Sequence, residues 1–339
     1  MTNVALALGS GGARGWAHIG VLQVLSERGY RVTSLAGTSV GSLVGGMYAA
    51  GHLDAFTEWV LTLSQRDVLR LFDVGLGIPG AMKLERVMAK VNEFLGDVRI
   101  EELPLPFTAV ATDLVARREV WFQEGPLNVA IRASIAIPSV ITPIAFKGRL
   151  LVDGGVLNPV PLAPLNSSLA DVTVAVSLSG RTLTRPAPVL PGTDVEAEAG
   201  HEPEMPVRPQ SELVDRIRGI AAGVVESGRN TISRFLPDEV ERAFDDAPSA
   251  VSLLDVTTMS LDTVSSLITR YRLAGSPPDV LIELPANTCG MLEFHRAAEL
   301  IAHGRRLTTV ALDALEGVAP PALAHPDVPP TSHDAGTSA

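Results

Sequence analysis

Residues 34–51 read SLAGTSVGSLVGGMYAAG, and the rest of the chain is interpreted outward from this stretch. Its short apolar run predicts the end of a buried strand, and the small residues from Ser42 to Ala50 predict a helix. Between them, Ser39 lies at the centre of a G-x-S-x-G pattern formed with Gly37 and Gly41, as in a nucleophile elbow. We expect a sharp turn that holds the Ser39 hydroxyl at a helix N-terminus, where negative charge is favoured. The simpler interpretation is a glycine-rich turn with a capping serine.

The residues before this stretch predict a parallel β-α-β unit. Val4 to Leu8 has the pattern of a buried strand, Trp16 to Arg28 has apolar residues at helical spacing, and Arg31 to Ala36 predicts the next strand. A right-handed unit of this kind places both of its following turns at the carboxyl edge of the sheet. The glycine-rich loop over residues 9–15 is therefore expected beside the serine turn.

That loop reads GSGGARG and supports two interpretations. Gly9-x-Gly11 resembles the start of a dinucleotide-binding G-x-G-x-x-G motif, but Arg14 occupies the position of the third glycine and no acidic residue ends the second strand. We therefore favour an oxyanion hole made of backbone N–H groups. Its candidate residues are Gly11, Gly12, Ala13, Arg14 and Gly15. The Arg14 side chain is either solvated or ion-paired, or else it orders the loop or adds positive potential.

A second informative stretch, GRLLVDGGVLNPVPL, covers residues 148–162. An apolar strand over Leu150–Val152 ends in Asp153, and Gly154 and Gly155 allow a sharp turn beside it. A carboxylate at the carboxyl end of a strand can reach a serine on a neighbouring turn. The alternative is an ordinary Asp-Gly turn, which is common in proteins.

Composition indicates an ordered chain with two weakly structured segments. Of 339 residues, 46% are hydrophobic and 19% are charged, enough for a full core. We expect a catalytic core over residues 1–183, a flexible Pro/Glu-rich insertion over 184–209, a helical remainder of the same domain with one late strand over 210–316, and a disordered tail over 317–339.

Several classes of partner and site are disfavoured. The formal charge of −11 without a basic block argues against nucleic acid as a partner. A single cysteine, Cys289, excludes a disulfide framework and fits a reducing compartment. Because the N-terminus lacks a signal-peptide pattern and no long apolar run occurs, a cytoplasmic location is expected. No metal or cofactor is expected, since ligand-type residues do not occur at chelating spacing. The oligomeric state is left open.

Three of these stretches together resemble the patatin-like phospholipase family, especially its bacterial cytosolic branch. They are GSGGARG at 9–15, GTSVG at 37–41 and DGG at 153–155, in that order along the chain. Further matches are AHIGVL at 17–22, ATDL at 111–114, RASIAIP at 132–138 and the segment 278–304. The resemblance covers about residues 4–180 and 210–305, and its combined signal is strong although each motif alone is weak.

The resemblance implies a three-layer α/β/α fold with a mainly parallel central sheet and hydrolysis of fatty-acyl esters of phospholipids or other lipids. It assigns the nucleophile to Ser39, the base to Asp153 and the oxyanion loop to Gly11, Gly12 and their neighbours. Thr38 and Val40 flank the serine where alanine is frequent in the family, which could narrow the pocket. Contact with a membrane is expected to be peripheral and transient.

Two alternatives stay open at this point. A Ser-Asp-His triad would need a histidine after the acid, and His295 and His303 are the candidates on a late helix. In a different class of function, the fold would serve as a lipid-responsive binding or regulatory module with weak or no hydrolysis. The residues do not select among phospholipid, lysophospholipid, neutral ester and thioester substrates.

Overall fold

The computed structural model describes residues 1–72, 84–180 and 253–318 of the chain. The predicted insertion over 184–209, and the predicted tail apart from its first two residues, lie outside the described residues. The expected division into domains therefore stays a prediction. No helix in the described ranges has both the length and the apolar character needed to cross a bilayer, and the expected cytoplasmic location also stays a prediction.

Strands and helices follow one another along most of the described chain. The strands are β1 (Asn3–Leu8), β2 (Arg31–Thr38), β3 (Phe107–Asp113), β4 (Arg118–Phe122), β5 (Ile144–Phe146), β6 (Arg149–Asp153), β7 (Val172–Gly180) and β8 (Val280–Pro285). The helices are α1 (Ala17–Glu27), α2 (Val40–Ala49), α3 (Leu53–Leu61), α4 (Gln65–Leu71), α5 (Glu85–Leu95), α6 (Leu127–Ser134), α7 (Leu253–Gly275) and α8 (Ala297–Leu315).

The strands of one sheet are connected by pairing in the series β5-β6-β3-β2-β1-β7-β8, and β4 also pairs with β3, on the edge opposite to β2 and β6. Every pairing among β3, β2, β1, β7 and β8 is parallel, whereas β4, β5 and β6 pair in antiparallel fashion. The predicted mainly parallel central sheet is thus confirmed. The antiparallel strands are confined to the β3 end of the sheet.

The two faces of the sheet are covered differently. On one face, the apolar side chains of β1, such as Leu6 and Leu8, belong to a large buried cluster together with residues of α1, α2 and α8. The other face presents small side chains, including Ala5, Ala36 and Ala175, to the segment after β6 and to Leu273 of α7. Helices therefore lie on both faces, which confirms the predicted three-layer arrangement.

Helices α1 and α8 approach each other very closely. A Cβ atom built on Gly304 would lie 2.0 Å from the Ala17 carbonyl oxygen, and one built on Gly20 would lie 2.2 Å from the Ile301 carbonyl oxygen. Both distances are far below a van der Waals contact, so only glycine fits at these two positions while the helices keep their spacing.

Candidate active site

Ser39 lies between β2 and α2, in the sharp turn that its glycine pattern predicts. Its backbone has φ 57° and ψ −129°, a conformation that is costly for a residue with a side chain. A Cβ atom on Gly37 would lie 2.4 Å from the Gly41 carbonyl oxygen, and one on Gly41 would lie 2.2 Å from the Leu8 carbonyl oxygen. The turn is thus strained and tightly packed, as expected where a backbone is held for a function.

Ser134 holds this turn in place. The Ser39 backbone N–H donates to Ser134 Oγ at 2.9 Å, and Ser134 Oγ donates to the Val110 carbonyl oxygen at 2.6 Å. All three groups are buried, so the strained turn is tied to β3 by satisfied hydrogen bonds. The motifs give Ser134 no role. Its position after Leu127 and Ile131 on the buried face of α6 is the sequence signal that could have identified it.

The register of β3 brings the serine turn and Asp153 together. Both β2 and β4 pair with Ala109 and Val110 of β3, so they lie on opposite edges of that strand. Because Ala111 pairs with both β4 and β6, strand β6 must lie on the same edge as β2. Thr38 pairs with Val110 and Asp153 pairs with the next residue, Ala111. The ends of β2 and β6 therefore meet head-on along one edge of β3.

Asp153 is buried at this junction, with a side-chain environment that favours its neutral form. The Gly155 backbone N–H donates to Asp153 Oδ1 at 2.7 Å. The buried Oδ2 makes no hydrogen bond of standard geometry with the described residues. Burial raises the pKa of Asp153 to about 7, while the Ser39 hydroxyl and the Gly155 N–H oppose the rise. Such a carboxylate binds protons more strongly than an exposed one, which suits a base working near neutral pH.

The loop over residues 9–15 passes directly beside the serine turn. A Cβ atom on Gly15 would lie 2.2 Å from Val40 Cγ1, so the loop packs against the residue that follows Ser39. The Ala13 N–H is engaged, since it donates to the Met291 carbonyl oxygen at 2.8 Å. Among the described residues, no acceptor is found for the backbone N–H groups of Gly11 and Gly12. Within the part of the chain that the structure describes, these two N–H groups are therefore available to a ligand.

Arg14 is buried and orders the loop. Its Nε donates to the Gly11 carbonyl oxygen at 3.1 Å, and its Nη1 donates to the carbonyl oxygens of Leu178 at 2.9 Å and Ala286 at 3.0 Å. Its Nη2 lies 4.0 Å from Asp262 Oδ2. Of the roles that the sequence leaves open for Arg14, the contacts therefore favour ordering: the side chain ties the loop to the ends of β7 and β8.

Two cavities meet at Ser39 and share Gly12 and Ile137 as lining residues. The first cavity contains Asp153 and has a mixed lining of polar and apolar groups; we call it the polar cavity to distinguish it from the second. The second is almost entirely apolar and extends between the loop, α2, α3, α4 and α5. Its lining includes Trp16, Val40, Leu43, Phe56, Val91 and Phe294. A ligand with a long apolar part and a polar part could therefore lie with its junction at Ser39.

Helix α7 supplies one wall of the polar cavity, a role that the sequence did not indicate. Thr258, Leu261, Asp262 and Ser265 line the cavity from this helix. The Ser265 hydroxyl donates to the Gly155 carbonyl oxygen at 2.9 Å, which joins α7 to the turn after Asp153. In the sequence, Leu261, Val264, Ile268 and Tyr271 recur at helical spacing, a pattern that predicts an amphipathic helix. Because the residues facing the cavity are mixed polar and apolar, that pattern does not distinguish a cavity wall from a packed face.

The described histidines do not line either cavity. His303 lies on α8, where Nδ1 is 2.8 Å from Arg306 Nη2 and Nε2 is 3.9 Å from Glu299. His295 lies in the short helical turn that precedes α8. His18 is fully buried, and its Nε2 donates to the Gly9 carbonyl oxygen at 2.8 Å. Burial lowers the pKa of His18 to about 4, so this imidazole is neutral at physiological pH.

Comparison with known proteins identifies relatives that match most of the chain or its N-terminal part. A family model described as patatin-like phospholipase matches residues 6–166. A Mycobacterium tuberculosis protein described as an uncharacterized NTE family protein is 44% identical over 347 residues, covering 92% of each chain. Patatin-like phospholipase domain-containing protein 6 of Mus musculus is 32% identical over 189 residues, covering 53% of this chain and 14% of the mouse protein.

Among solved structures, the crystal structure of VipD from Legionella pneumophila aligns with a TM-score of 0.42. The sequence identity is 13%, and the alignment covers 92% of this chain and 67% of VipD. Nothing about this chain follows from a likeness at that level.

Proposed function

The chain belongs to the patatin-like phospholipase family, as its motifs indicate, and on this premise we propose that it hydrolyses fatty-acyl esters of lipids through Ser39 and Asp153. Family membership supports lipid hydrolysis in general. The assignment of these two residues rests on one observation, the meeting of β2 and β6 on β3. A strained serine and a buried carboxylate with a raised pKa share that junction and open on the same cavity.

In the proposed first half-reaction, Asp153 accepts the hydroxyl proton of Ser39 while Oγ bonds to the ester carbonyl carbon. The carbonyl oxygen becomes an oxyanion, which the free N–H groups of Gly11 and Gly12 stabilise. As the intermediate collapses, the bond to the alcohol oxygen breaks. That oxygen takes the proton from Asp153 and leaves as the free alcohol, with the acyl group bonded to Ser39.

In the second half-reaction, Asp153 accepts a proton from water, and the water oxygen bonds to the acyl carbon. The new oxyanion is stabilised by the same N–H groups. The bond to Ser39 Oγ then breaks, Oγ regains the proton from Asp153, and a carboxylic acid is released. No imidazole takes part in this scheme, which agrees with the positions of His295 and His303 outside both cavities.

The two cavities suggest how an ester would be oriented. The apolar cavity suits the acyl chain, because burying methylene groups there is favourable by about 0.8 kcal/mol each. The polar cavity, with Asp262 and Ser265 in its wall, suits the alcohol part of the ester. Ser39 lies where the cavities join, which is where the scissile carbonyl group would be.

Narrowing the apolar cavity should change the preference for acyl-chain length. Val87 on α5 lines this cavity, so Val87→Trp is expected to reduce kcat/KM for p-nitrophenyl palmitate about tenfold or more. For the short butyrate ester the change should stay within about twofold, because that chain does not extend far from Ser39.

The neighbouring residue on the same helix provides a matched control for this chain-length experiment. Met88 lines a separate surface depression with Asn92 and Arg132, so Met88→Trp should leave the ratio of palmitate to butyrate hydrolysis unchanged. If both tryptophan variants affect the two esters alike, the apolar cavity does not hold the acyl chain.

The pH dependence of hydrolysis should follow the ionisation of Asp153. The base must be deprotonated, so kcat/KM for a soluble ester is expected to rise with pH and to level off above a midpoint near 7. At pH 5 the value should be about a hundredfold below its plateau. Circular dichroism at each pH provides the control that the protein stays folded. A profile that is flat between pH 5 and 8, or a midpoint near 4, would contradict this assignment.

Covalent labelling tests the proposed nucleophile directly. A fluorophosphonate probe should label the wild-type chain at Ser39, identified by mass spectrometry of the labelled peptide, and should not label Ser39→Ala. A folded wild-type chain that stays unlabelled and hydrolyses no ester would instead support the lipid-responsive binding module. Since each result assigns the chain to a different class of function, the experiment decides between them.

A further inference from the structure

Two turns at the β3 end of the sheet form an exposed feature that we call the cationic tip, defined as residues 114–118 and 147–150. The first turn connects β3 to β4 and the second connects β5 to β6. Three apolar side chains of the tip are unusually exposed for their type: Leu114 at 41%, Val115 at 77% and Leu150 at 39%. Four exposed cationic side chains surround them, and no acidic residue occurs in either turn. These are Arg117, Arg118, Lys147 and Arg149.

The backbone of the tip is held rigidly. Asp113 Oδ1 accepts hydrogen bonds from the N–H groups of Val115 at 3.1 Å and Ala116 at 3.0 Å. The Leu114 N–H donates to the Leu150 carbonyl oxygen at 3.0 Å, which joins the two turns. The backbones of the two turns are therefore joined, and their side chains belong to one continuous surface.

The positive charge of the tip is only weakly compensated. Asp113 is buried, and its Oδ2 lies 4.0 Å from Arg149 Nε. Glu119, the next acidic residue along β4, is already paired with Arg272. Among the described residues, no ion pair is formed by Arg117, Arg118 or Lys147. A locally positive surface thus occurs in a chain whose formal charge is −11.

The tip projects from the carboxyl end of β3, on the side of the sheet where the loop over residues 9–15 and the Ser39 turn follow the parallel strands β1 and β2. Asp153 pairs with Ala111, and the tip begins three residues further along β3, at Leu114. At about 3.3 Å per residue, the tip extends roughly 10 Å beyond the level of Asp153 in the strand direction. A surface that contacts the tip would therefore lie on the same side of the sheet as the Ser39 turn and the loop over residues 9–15.

We propose that the cationic tip docks the chain on an anionic lipid surface, with Val115 and its apolar neighbours entering the interfacial region. The negative potential of such a surface attracts the cationic side chains of the tip, and this local attraction offsets the repulsion expected between the same potential and an acidic chain. Three exposed apolar residues form too small a patch for a stable protein interface, which buries about 800 Å² per partner. They are sufficient for shallow insertion beside cationic contacts.

This docking rests on the proposed function only for its orientation, because a lipid ester would then be presented to the cavity beside the tip. Binding can be measured without hydrolysis, so the two proposals can fail separately. The test uses the full-length chain carrying Ser39→Ala, sedimented with vesicles of phosphatidylcholine alone or of phosphatidylcholine with about one-quarter phosphatidylglycerol. Each mixture is measured at about 0.05 M and about 0.5 M NaCl, since salt screens the charges.

The informative variant is Arg117→Glu/Lys147→Glu, and its matched control is Arg31→Glu/Arg66→Glu. Both double substitutions change the formal charge equally. Arg31, however, lies at the amino end of β2, whereas the tip follows the carboxyl end of the parallel strand β3, and Arg66 lies on α4. We expect the parent chain to prefer anionic vesicles at least about tenfold at low salt, and the tip variant to lose that preference. The control should stay within about twofold of the parent. Val115→Asp should weaken binding even at high salt.

Three outcomes would overturn the docking proposal: equal binding of the tip variant and its control, equal binding to both vesicle compositions, or no binding to either. The last outcome would leave an acidic protein as the remaining partner for the tip. The same substitutions in the chain with Ser39 intact should leave hydrolysis of a soluble butyrate ester within about twofold of wild type, which shows that the variants fold. A chain that hydrolyses the ester but does not bind vesicles would contradict the docking proposal. A chain that binds anionic vesicles but hydrolyses no ester would contradict the proposed function.

Discussion

Asp153→Asn is expected to reduce ester hydrolysis by at least about a thousandfold and, at the same time, to make the folded chain more stable at about pH 8. Activity falls because an amide cannot accept the Ser39 proton. Packing should change little, since asparagine has nearly the same shape and its Oδ1 can accept the same hydrogen bond from the Gly155 N–H. The variant thus separates the chemical role of the carboxylate from its structural role.

The gain in stability follows from the raised pKa of Asp153. Its pKa is 3.8 in the unfolded chain and about 7 in the folded one, so the folded state keeps a proton that the unfolded state has released between these values. The wild-type chain is therefore most stable, with respect to this group, below pH 3.8, and it loses that contribution as the pH rises through 7. Asparagine is neutral at every pH. The expected gain at about pH 8 is on the order of 2–4 kcal/mol, and it should shrink towards zero near pH 4.

Urea unfolding at both pH values measures the stability change, and a soluble-ester assay measures the activity. His295→Ala and His303→Ala are the controls, because both histidines lie outside the cavities and their loss should change hydrolysis by less than about threefold. A thousandfold loss in either histidine variant would replace the proposed dyad by a triad. An Asp153→Asn chain that still hydrolyses esters at a tenth of the wild-type rate would show that another group is the base.

Gly304→Ala should destabilise the fold more than a methyl group usually does. The new Cβ atom would lie 2.0 Å from the Ala17 carbonyl oxygen and within 2.9 Å of two further backbone atoms of Ala17, so α8 must move away from α1. We expect the free energy of unfolding to fall by about 2–4 kcal/mol, even though alanine favours the helix by about 1 kcal/mol.

The matched control is Gly275→Ala at the end of α7, where the added methyl group meets nothing within 4 Å. Its free energy of unfolding should stay within about 0.5 kcal/mol of wild type. Urea unfolding followed by far-UV circular dichroism compares the two variants. If Gly304→Ala is as stable as the control, the close contact between α1 and α8 contributes little to the fold.

Much of the fold could be predicted because local patterns and tertiary packing agree. The apolar runs that predict β1 and β2 are buried strands, and the small residues from Ser42 to Ala50 lie in α2 apart from the last of them. For residues 53–71 the sequence pattern predicts one helix, whereas the structure has two, α3 and α4. The division falls at Ser64, whose side chain and that of Asp67 form a capping box that starts the second helix. That signal is local, and it could have been recognised in the sequence.

Other features depend on contacts between distant segments and could not be predicted. Strand β5 has three residues and exists only because it pairs with β6, so no periodic pattern marks it. The ion pair between Glu119 and Arg272 joins β4 to α7, and Arg272 Nε also donates to the Leu157 carbonyl oxygen at 3.0 Å. These contacts hold α7 over the polar cavity. A single sequence does not show which distant charges will meet.

The candidate site itself was only partly predictable. The motifs place Ser39 and Asp153 at strand ends, and their roles stay proposals. The motifs do not show that β2 and β6 would meet on one edge of β3, which depends on the register of three strands. They also do not separate the donors of the loop. Ala13 is engaged with Met291 because of a contact with a segment far along the chain.

The junction of β2 and β6 also has a consequence for biosynthesis. A ribosome completes the segment containing Ser39 well before it completes the β5–β6 hairpin, and during that interval the serine has no acid next to it. On the proposed assignment, a nascent chain cannot attack lipid esters until the hairpin has docked on β3. Acquisition of activity would then report the completion of the sheet, so that truncated or misassembled chains stay inert towards the membranes of the cell that makes them.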